Sequence, residues 1–228
     1  MGFLDGVREN IHAAMQRDPA ARSALEVLLT YPGVHALIGH RVAHRVDAAG
    51  FPLLARLIAN TARMITGIDI HPKARIGHFL FIDHGMGVVI GETAEIGDRC
   101  HILQGVTLGG TSTRHEKRHP TLEDDVLVGA GAKVIGAVTI GAGAKIGAGS
   151  VVVSSVPPGA TVVGVPGHVI AYANRSNDTI ERLPDPEWDR IDALERRLTA
   201  IEAEVTSFEA QRKRDEQCTS GEGREPLG

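Results

Sequence analysis

The chain has 228 residues, of which only 4% are aromatic, with 27 glycines and a formal net charge of −4 at pH 7. This length allows a sizeable core in one or two domains, and the slightly acidic balance argues against nucleic acid or an anionic membrane surface as a partner. The sequence has no apolar run of about 18 residues and no apolar signal core near its start, so we predict a cytoplasmic protein. Cys100 and Cys218 are far apart and form no C-x-x-C pair, which argues against a disulfide scaffold and against a zinc site.

Residues 1–66 are predicted to form a helical domain. Asp18-Pro19 is typical of an N-cap followed by proline at the first helical position, which predicts a helix starting there. After the breaker at 31–33, two more helices are predicted over about 34–48 and 52–65. We interpret this domain as a cap on the strand edges of the segment that follows.

From Ile70 to Val152 an aliphatic residue returns at every sixth position, with a two-residue shift after Ile82 and a break after Leu108. Neither the helical period of 3.6 residues nor the alternation of a strand produces this spacing. A chain that turns a corner every six residues does, with each aliphatic side chain pointing into a triangular prism. Residues 67–170 are therefore predicted to form a parallel β-helix of the hexapeptide type.

The segment from Gly109 to Pro120 interrupts the repeat. It is polar and rich in glycine and has no aliphatic residue in register, so we expect it to leave the prism as a loop. Loops that project from a rigid scaffold often carry function. Arg118-His119-Pro120 marks the point where this loop returns to the prism.

The C-terminal part is predicted to hold a linker over 171–186, a helix over 187–213 and a disordered polar tail over 214–228. The helix carries apolar residues at alternating spacings of three and four: Ile191, Leu194, Leu198, Ile201, Val205 and Phe208. This is the a/d pattern of a coiled coil over nearly three heptads, and its mixture of Leu at a and Ile at d favours more than two strands. A helix that lies back on its own β-helix is the alternative.

Asp69 and His84 are 15 residues apart, and a coil of three six-residue sides has about 18 residues, so the two can lie on neighbouring coils. A histidine that removes a hydroxyl proton needs one free ring nitrogen and a carboxylate that orients the other. Asp83 would then be free to hold a substrate cation, and Arg118 could pair with a carboxylate in fork geometry. From these residues alone, a surface ion pair and a charged loop remain open, and Cys100 is interpreted as structural.

Taken together, the motifs resemble those of the serine O-acetyltransferase family of hexapeptide acyltransferases, over roughly residues 18–166. The resemblance is carried by these segments: Arg17-Asp18-Pro19-Ala20, Tyr31-Pro32-Gly33-Val34-His35-Ala36, Asp69-Ile70-His71-Pro72, Asp83-His84, Gly91-Glu92-Thr93-Ala94, Gly105-Val106-Thr107-Leu108-Gly109-Gly110-Thr111, Arg118-His119-Pro120, Gly129-Ala130-Gly131-Ala132-Lys133 and Gly164-Val165-Pro166. It implies a mostly β fold with α-helices: a helical cap, a left-handed parallel β-helix and a C-terminal helix. It also implies a homotrimer that binds acetyl-CoA in the grooves between neighbouring prisms.

The resemblance implies direct transfer of acetyl from acetyl-CoA to the L-serine hydroxyl, which gives O-acetylserine for cysteine biosynthesis. His84 would be the general base, oriented by Asp69. His119 would be a second catalytic histidine that faces the substrate from across the subunit boundary.

The same resemblance implies the binding residues. Asp18 and Asp83 would bind the ammonium of L-serine, Arg118 would bind its carboxylate, and His119 would face it. The arm of CoA would contact Gly110, Thr111, Ala130 and Lys145, and no metal is expected.

The chain departs from the family pattern in three places. Gly85-Met86-Gly87 follows His84 where the family has Ala-Thr-Gly, which changes the surroundings of the base. The helical region is short, so we expect a trimer rather than a hexamer. The sequence ends without the isoleucine that relatives insert into O-acetylserine sulfhydrylase, so we do not expect the complex with that enzyme.

Two other functions remain open at this point. One is a hexapeptide acetyltransferase for a sugar, an antibiotic or another amine or hydroxyl, against which Asp18 argues because a carboxylate suits an ammonium. The other is a catalytically silent β-helix, serving as a scaffold or binding zinc between subunits through His78, His84 and His101.

Overall fold

The computed structural model describes residues 2–174, 179–182 and 186–221. Its first part is helical, as predicted, and consists of α1 (Phe3–Arg17), α2 (Ala24–Thr30), α3 (Pro32–Ala48) and α4 (Pro52–Thr66). Helices α3 and α4 each begin with proline, whose fixed φ suits the first turn and whose missing N–H would have no partner there.

The predicted helix start at Asp18-Pro19 is wrong. Asp18 follows the end of α1 and donates its N–H to Ala14 O at 2.9 Å. Helix α2 begins later, where Ser23 Oγ accepts the Glu26 N–H at 3.1 Å. The Asp18 carboxylate instead accepts the Ala20 N–H at 2.8 Å. This bond to the residue two positions on is an Asx-turn, which has the same sequence signature as an N-cap.

The repeat forms a three-sided parallel β-helix, as predicted. Its strands are β1 (Asp69–Ile70), β2 (Arg75–Ile76), β3 (Phe81–Ile82), β4 (Val89–Ile90), β5 (Glu95–Ile96), β6 (His101–Ile102), β7 (Thr107–Gly109), β8 (Thr121–Leu122), β9 (Leu127–Val128), β10 (Lys133–Ile135), β11 (Thr139–Ile140), β12 (Lys145–Ile146), β13 (Val151–Val152) and β14 (Ala160–Val163). Face A contains β1, β4, β7, β10 and β13, face B contains β2, β5, β8 and β11, and face C contains β3, β6, β9, β12 and β14.

The aliphatic residues at the sixth positions fill the prism. From Ile82 to Val152 each of them is at most 4% exposed, and only Ile76, in the first coil, is half-buried. Full burial of such a side chain is worth about 1.5–3 kcal/mol, so the row of stacked residues is the main source of stability. The segment between β7 and β8 lies outside the strands, which confirms the predicted loop.

Helix α3 closes the first coil of the prism. Ala36 and Leu37 belong to the same buried cluster as the sixth-position residues. A Cβ placed at Gly33 would collide with the carbonyl oxygen of Ile82, so only glycine allows the start of α3 to approach this coil so closely. The helical cap and the β-helix form one compact unit over residues 1–183 rather than two separate domains.

The C-terminal part differs from the predicted boundaries. The region predicted as a linker contains the end of β15 (His168–Asn174) and all of β16 (Thr179–Arg182), which extend face C in antiparallel order from β14. Pairing of this kind covers the open edge left by the last coil. Helix α5 (Pro186–Gly221) continues eight residues beyond the predicted end at 213, so 214–221 are helical, as the Glu and Gln in that stretch allow.

The remaining tail, 222–228, lies outside the described residues. A separate unit, 184–228, contains α5. Across the described part of the chain, we find no helix whose length and apolarity would suit it to cross a membrane.

Candidate active site

The two predicted catalytic histidines lie at opposite edges of face A. His84 lies in the turn from β3 to β4, which is the edge between faces C and A. His119 lies just before β8, at the edge between faces A and B. A single chain therefore does not bring them together, and each has its own surrounding residues.

The backbone at His84 has an unusual conformation, with φ of +56°. It is held on both sides, since the Asp83 N–H bonds to Ile102 O at 2.8 Å and the Gly85 N–H bonds to Asp83 O at 2.6 Å. Gly85 is required next, because its φ is +76° and a Cβ there would collide with Ile68. Positive φ at a non-glycine residue is uncommon and clusters at functional sites. Here it leaves the imidazole exposed at the edge.

Two carboxylates and a tyrosine lie around His84. Asp18 accepts a hydrogen bond of 2.5 Å from the Tyr31 hydroxyl. This bond, the Ala20 N–H and the charge of His84 lower the pKa of Asp18 although burial opposes them. The same bond raises the pKa of Tyr31 to about 12, with burial and the charges of Asp18, Glu26 and Asp83 adding to it. We call Asp18, Tyr31, Asp83 and His84 the His84 half-site.

Asp69 lies beside this half-site but is turned away from it. Its N–H bonds to Val88 O at 2.9 Å, which places its backbone next to the turn that carries His84. Its carboxylate, however, lies 3.4 Å from Nη1 of Arg63 on α4. Within the described ranges no hydrogen bond joins Asp69 to His84. Asp83 likewise has a neighbour, His101, whose Nε2 lies 3.7 Å from its carboxylate.

His119 is buried and fixed by one residue, Thr93. Its ring lies on Gly91, where a Cβ would collide with it. Its Nδ1 accepts the backbone N–H of Thr93 at 3.2 Å and lies 2.9 Å from the Thr93 hydroxyl. Since Nδ1 accepts from a backbone N–H, the neutral ring carries its proton on Nε2. Burial lowers the pKa of His119, which favours this neutral form.

Arg118 is also held by the residues that precede β5. Its Nη2 donates to Glu92 Oε2 at 2.6 Å, and its backbone N–H donates to Thr93 Oγ1 at 3.0 Å. Burial would raise the pKa of Glu92, but the positive charges of His71, Arg118 and Lys73 outweigh it and lower that pKa. We call Glu92, Thr93, Arg118 and His119 the His119 half-site.

Three of these residues were missed by the sequence reasoning: Tyr31, Glu92 and Thr93. Each of them lies in a segment that carried the family resemblance, but no role was assigned to the residue itself. The signal was their position inside Tyr31-Pro32-Gly33 and Gly91-Glu92-Thr93-Ala94, directly beside residues that were assigned. Their role is to hold Asp18, Arg118 and His119 in place.

The predicted CoA contacts are spread over the prism. Ala130 lies in the turn from β9 to β10, at the same edge as His84, whereas Gly110 and Thr111 follow β7 near His119 and Lys145 lies in β12 on face C. The edge of His84 and Ala130 carries a row of glycines in one repeated turn, with φ between +69° and +75°: Gly87, Gly105, Gly131 and Gly149. A Cβ at Gly131 or Gly149 would meet nothing within 4 Å, so this edge presents bare backbone to its surroundings.

The other candidate groups have structural surroundings. Cys100 is buried, its thiol donates to Glu123 O at 3.1 Å, and burial raises its pKa to about 11. A protonated thiol is a poor nucleophile, which supports the structural interpretation. Among the described residues, no three His, Cys, Asp or Glu side chains are grouped so that they could hold a metal ion.

Comparison with known proteins identifies the relatives of this chain. The family model "Bacterial transferase hexapeptide (six repeats)" matches residues 119–154. Serine acetyltransferase of Bacillus subtilis (strain 168) is 51% identical over 206 residues, covering 89% of this chain and 95% of the relative. Serine acetyltransferase of Mycobacterium tuberculosis is 53% identical over 203 residues, covering 88% of this chain and 89% of the relative.

Solved structures give the same result. The crystal structure of Neisseria gonorrhoeae serine acetyltransferase in complex with serine has a TM-score of 0.71 at 46% identity, covering 73% of this chain and 68% of that one. Soybean serine acetyltransferase complexed with serine has a TM-score of 0.72 at 45% identity, covering 74% and 69%. The chain therefore belongs to the serine acetyltransferases, a family of hexapeptide-repeat acyltransferases.

Proposed function

We propose that this chain transfers the acetyl group of acetyl-CoA to the hydroxyl of L-serine, with His84 as the general base. The observation that carries the proposal is the division of charge between the two half-sites. The His84 half-site holds two carboxylates, whereas the His119 half-site holds the Arg118 guanidinium, which pairs with one carboxylate, Glu92, and keeps further N–H donors. An α-amino acid has one ammonium and one carboxylate, so its two charged ends match these two half-sites.

Substrate binding follows from this match. Asp18 and Asp83 bind the ammonium, and the lowered pKa of Asp18 keeps that carboxylate ionised. Arg118 uses two N–H groups on Glu92 and on the Arg114 carbonyl oxygen, and its remaining donors can bind the serine carboxylate. A neutral sugar has neither the ammonium nor the carboxylate that these charged groups would bind, which disfavours the alternative acetyltransferase. The serine-bound relatives support the choice of amino acid.

In the reaction, His84 takes the hydroxyl proton of serine as the oxygen attacks the thioester carbonyl. The new C–O bond forms, the C–S bond breaks, and the proton on His84 passes to the leaving sulfur of CoA. His119 presents Nε2–H, a donor suited to the hydroxyl oxygen or to the negative charge that develops on the carbonyl oxygen. Asp69 orients His84 once its carboxylate turns away from Arg63.

The complete site is proposed to form between copies of the chain in a homotrimer. The two half-sites lie at opposite edges of one face, and a closed ring of three identical prisms brings the His84 edge of one copy to the His119 edge of the next. Acetyl-CoA lies along the glycine row at Ala130, and Gly110, Thr111 and Lys145 contact its arm. Bare backbone on that edge allows the pantetheine to come close.

The test is release of CoA thiol from acetyl-CoA with L-serine, L-homoserine or glucosamine as the acceptor. We expect turnover with L-serine above the other two, and a loss of at least about a hundredfold in His84→Ala. His78→Ala is the matched control, because this exposed histidine lies between β2 and β3, away from both half-sites. Near wild-type activity of His84→Ala would refute the role of His84, and equal use of glucosamine would refute the substrate.

A further inference from the structure

Helix α5 carries an apolar stripe that the unit containing it leaves uncovered. The stripe consists of Ile191, Leu194, Leu198, Ile201, Val205 and Phe208, whose exposed fractions lie between 45% and 75%. In a helix these spacings place all six side chains along one line. The stripe ends where Arg212 occupies the next a position, so it extends over about 26 Å at 1.5 Å per residue.

We propose that α5 pairs with the α5 of further copies of this chain as a parallel, in-register coiled coil. A strict a/d stripe is the narrow seam that fits an identical helix, whereas a helix lying on a β-helix face needs a broader apolar surface. An identical partner also covers the stripe over its whole length, because every knob meets the hole formed by the same heptad.

The charges beside the stripe favour the parallel orientation. In a parallel coiled coil, a g position faces the e position five residues further along the partner. In the sequence this gives two attractive pairs, Arg190 with Glu195 and Arg197 with Glu202, and one repulsive pair, Glu204 with Glu209. In an antiparallel pair the e positions face each other, so Glu195 and Glu202 would meet as like charges. The g positions of the antiparallel pair would contribute a single attractive contact, between Arg197 and Glu204. The parallel register therefore has the better charge complementarity.

Three heptads form a weak coiled coil when the helices must first find each other. Here every chain that joins an assembly through its β-helix brings one α5, which raises the local concentration of the partners without any new contact. The pairing of α5 helices does not depend on the role of His84, so the two can be tested separately.

The test uses disulfide cross-linking of the full chain with Cys218→Ser as the background. Leu194→Cys places a thiol on the stripe at a d position, and Ala203→Cys places one at the f position on the opposite side. Equivalent Cα atoms at a d position lie within disulfide range in a parallel coiled coil, so we expect at least about tenfold faster cross-linking at 194 than at 203. Acetyltransferase activity should be unchanged in both variants, which checks their fold.

Orientation is tested by mixing Leu194→Cys chains with Val205→Cys chains of different mass. A parallel coiled coil gives 194–194 and 205–205 disulfides, whereas an antiparallel one, in which the d position 194 lies opposite the a position 205, gives 194–205. Equal rates at 194 and 203, no cross-link at 194, or a predominance of the 194–205 product would each overturn the proposal.

Discussion

Replacing Thr93 with Val tests how the His119 half-site is held. The Thr93 hydroxyl makes three hydrogen bonds: to His119 Nδ1 at 2.9 Å, from the Arg118 N–H at 3.0 Å and from the His119 N–H at 3.1 Å. Valine has the same shape and makes none of them. At about 0.5–1.5 kcal/mol each, the three bonds contribute about 1.5–4.5 kcal/mol to the order of this half-site. If about half of that, about 0.75–2.25 kcal/mol, supports the transition state, kcat/KM for L-serine falls about 4-fold to 45-fold.

The assay is CoA thiol release with L-serine varied at saturating acetyl-CoA. Thr93→Ser keeps the hydroxyl and is expected to retain activity within about threefold of wild type. A role of Thr93 in overall stability alone would lower the melting temperature and leave kcat/KM of the folded enzyme unchanged. An activity of Thr93→Val within threefold of wild type, with Arg118 and His119 intact, would refute the reasoning.

The other predictions concern substrate charge, close packing and pH. Asp18→Asn should raise KM for L-serine about 10-fold to 100-fold and leave KM for acetyl-CoA unchanged in the same assay, and equal changes in both would contradict it. Gly33→Ala should lower the free energy of unfolding by about 1–3 kcal/mol, because the new Cβ would collide with the carbonyl oxygen of Ile82. Its melting temperature should therefore be lower than that of the control Gly2→Ala, and an unchanged melting temperature would contradict the prediction. Burial, with the charges of neighbouring cations, lowers the pKa of His40 from 6.5 to about 3, so its stability contribution is complete above pH 6.5 and is lost as the pH falls towards 3. Urea denaturation should therefore show that the free energy of unfolding of the wild type is about 2 kcal/mol lower at pH 5 than at pH 7.5. His40→Gln should abolish this loss and His115→Gln should retain it, whereas equal losses in the wild type and both variants would contradict the prediction.

The prism could be predicted because its sequence period directly reports burial. Ile82 and Val152 face the same core for the same reason, and the polar loop before His119 fails that pattern. The family resemblance supplied the residues of the site, but not their partners. Whether Asp69 pairs with His84 or with Arg63 depends on where α4 ends above the first coil, which no local pattern encodes.

A local sequence signature also gave a wrong prediction where two different backbone structures have the same signature. Asp18 followed by proline fits an N-cap and an Asx-turn equally, and in the structure Asp18 caps the C-terminus of α1 and forms the Asx-turn. The strand over 168–174 was missed because its partner is the edge left by the last coil, a tertiary feature. The separation of His84 from His119 likewise follows only from the order of strands around the prism.

Mixing two inactive variants tests the central claim, that one site is built from two copies. His84→Ala and His119→Ala chains would be unfolded together in equal amounts and refolded, and thiol release would be measured against each variant refolded alone. In a closed ring where His84 of one copy meets His119 of the next, about a quarter of the sites in random mixtures hold both histidines, so about a quarter of wild-type activity should return. Activity no higher than that of the separate variants would contradict a site shared between copies.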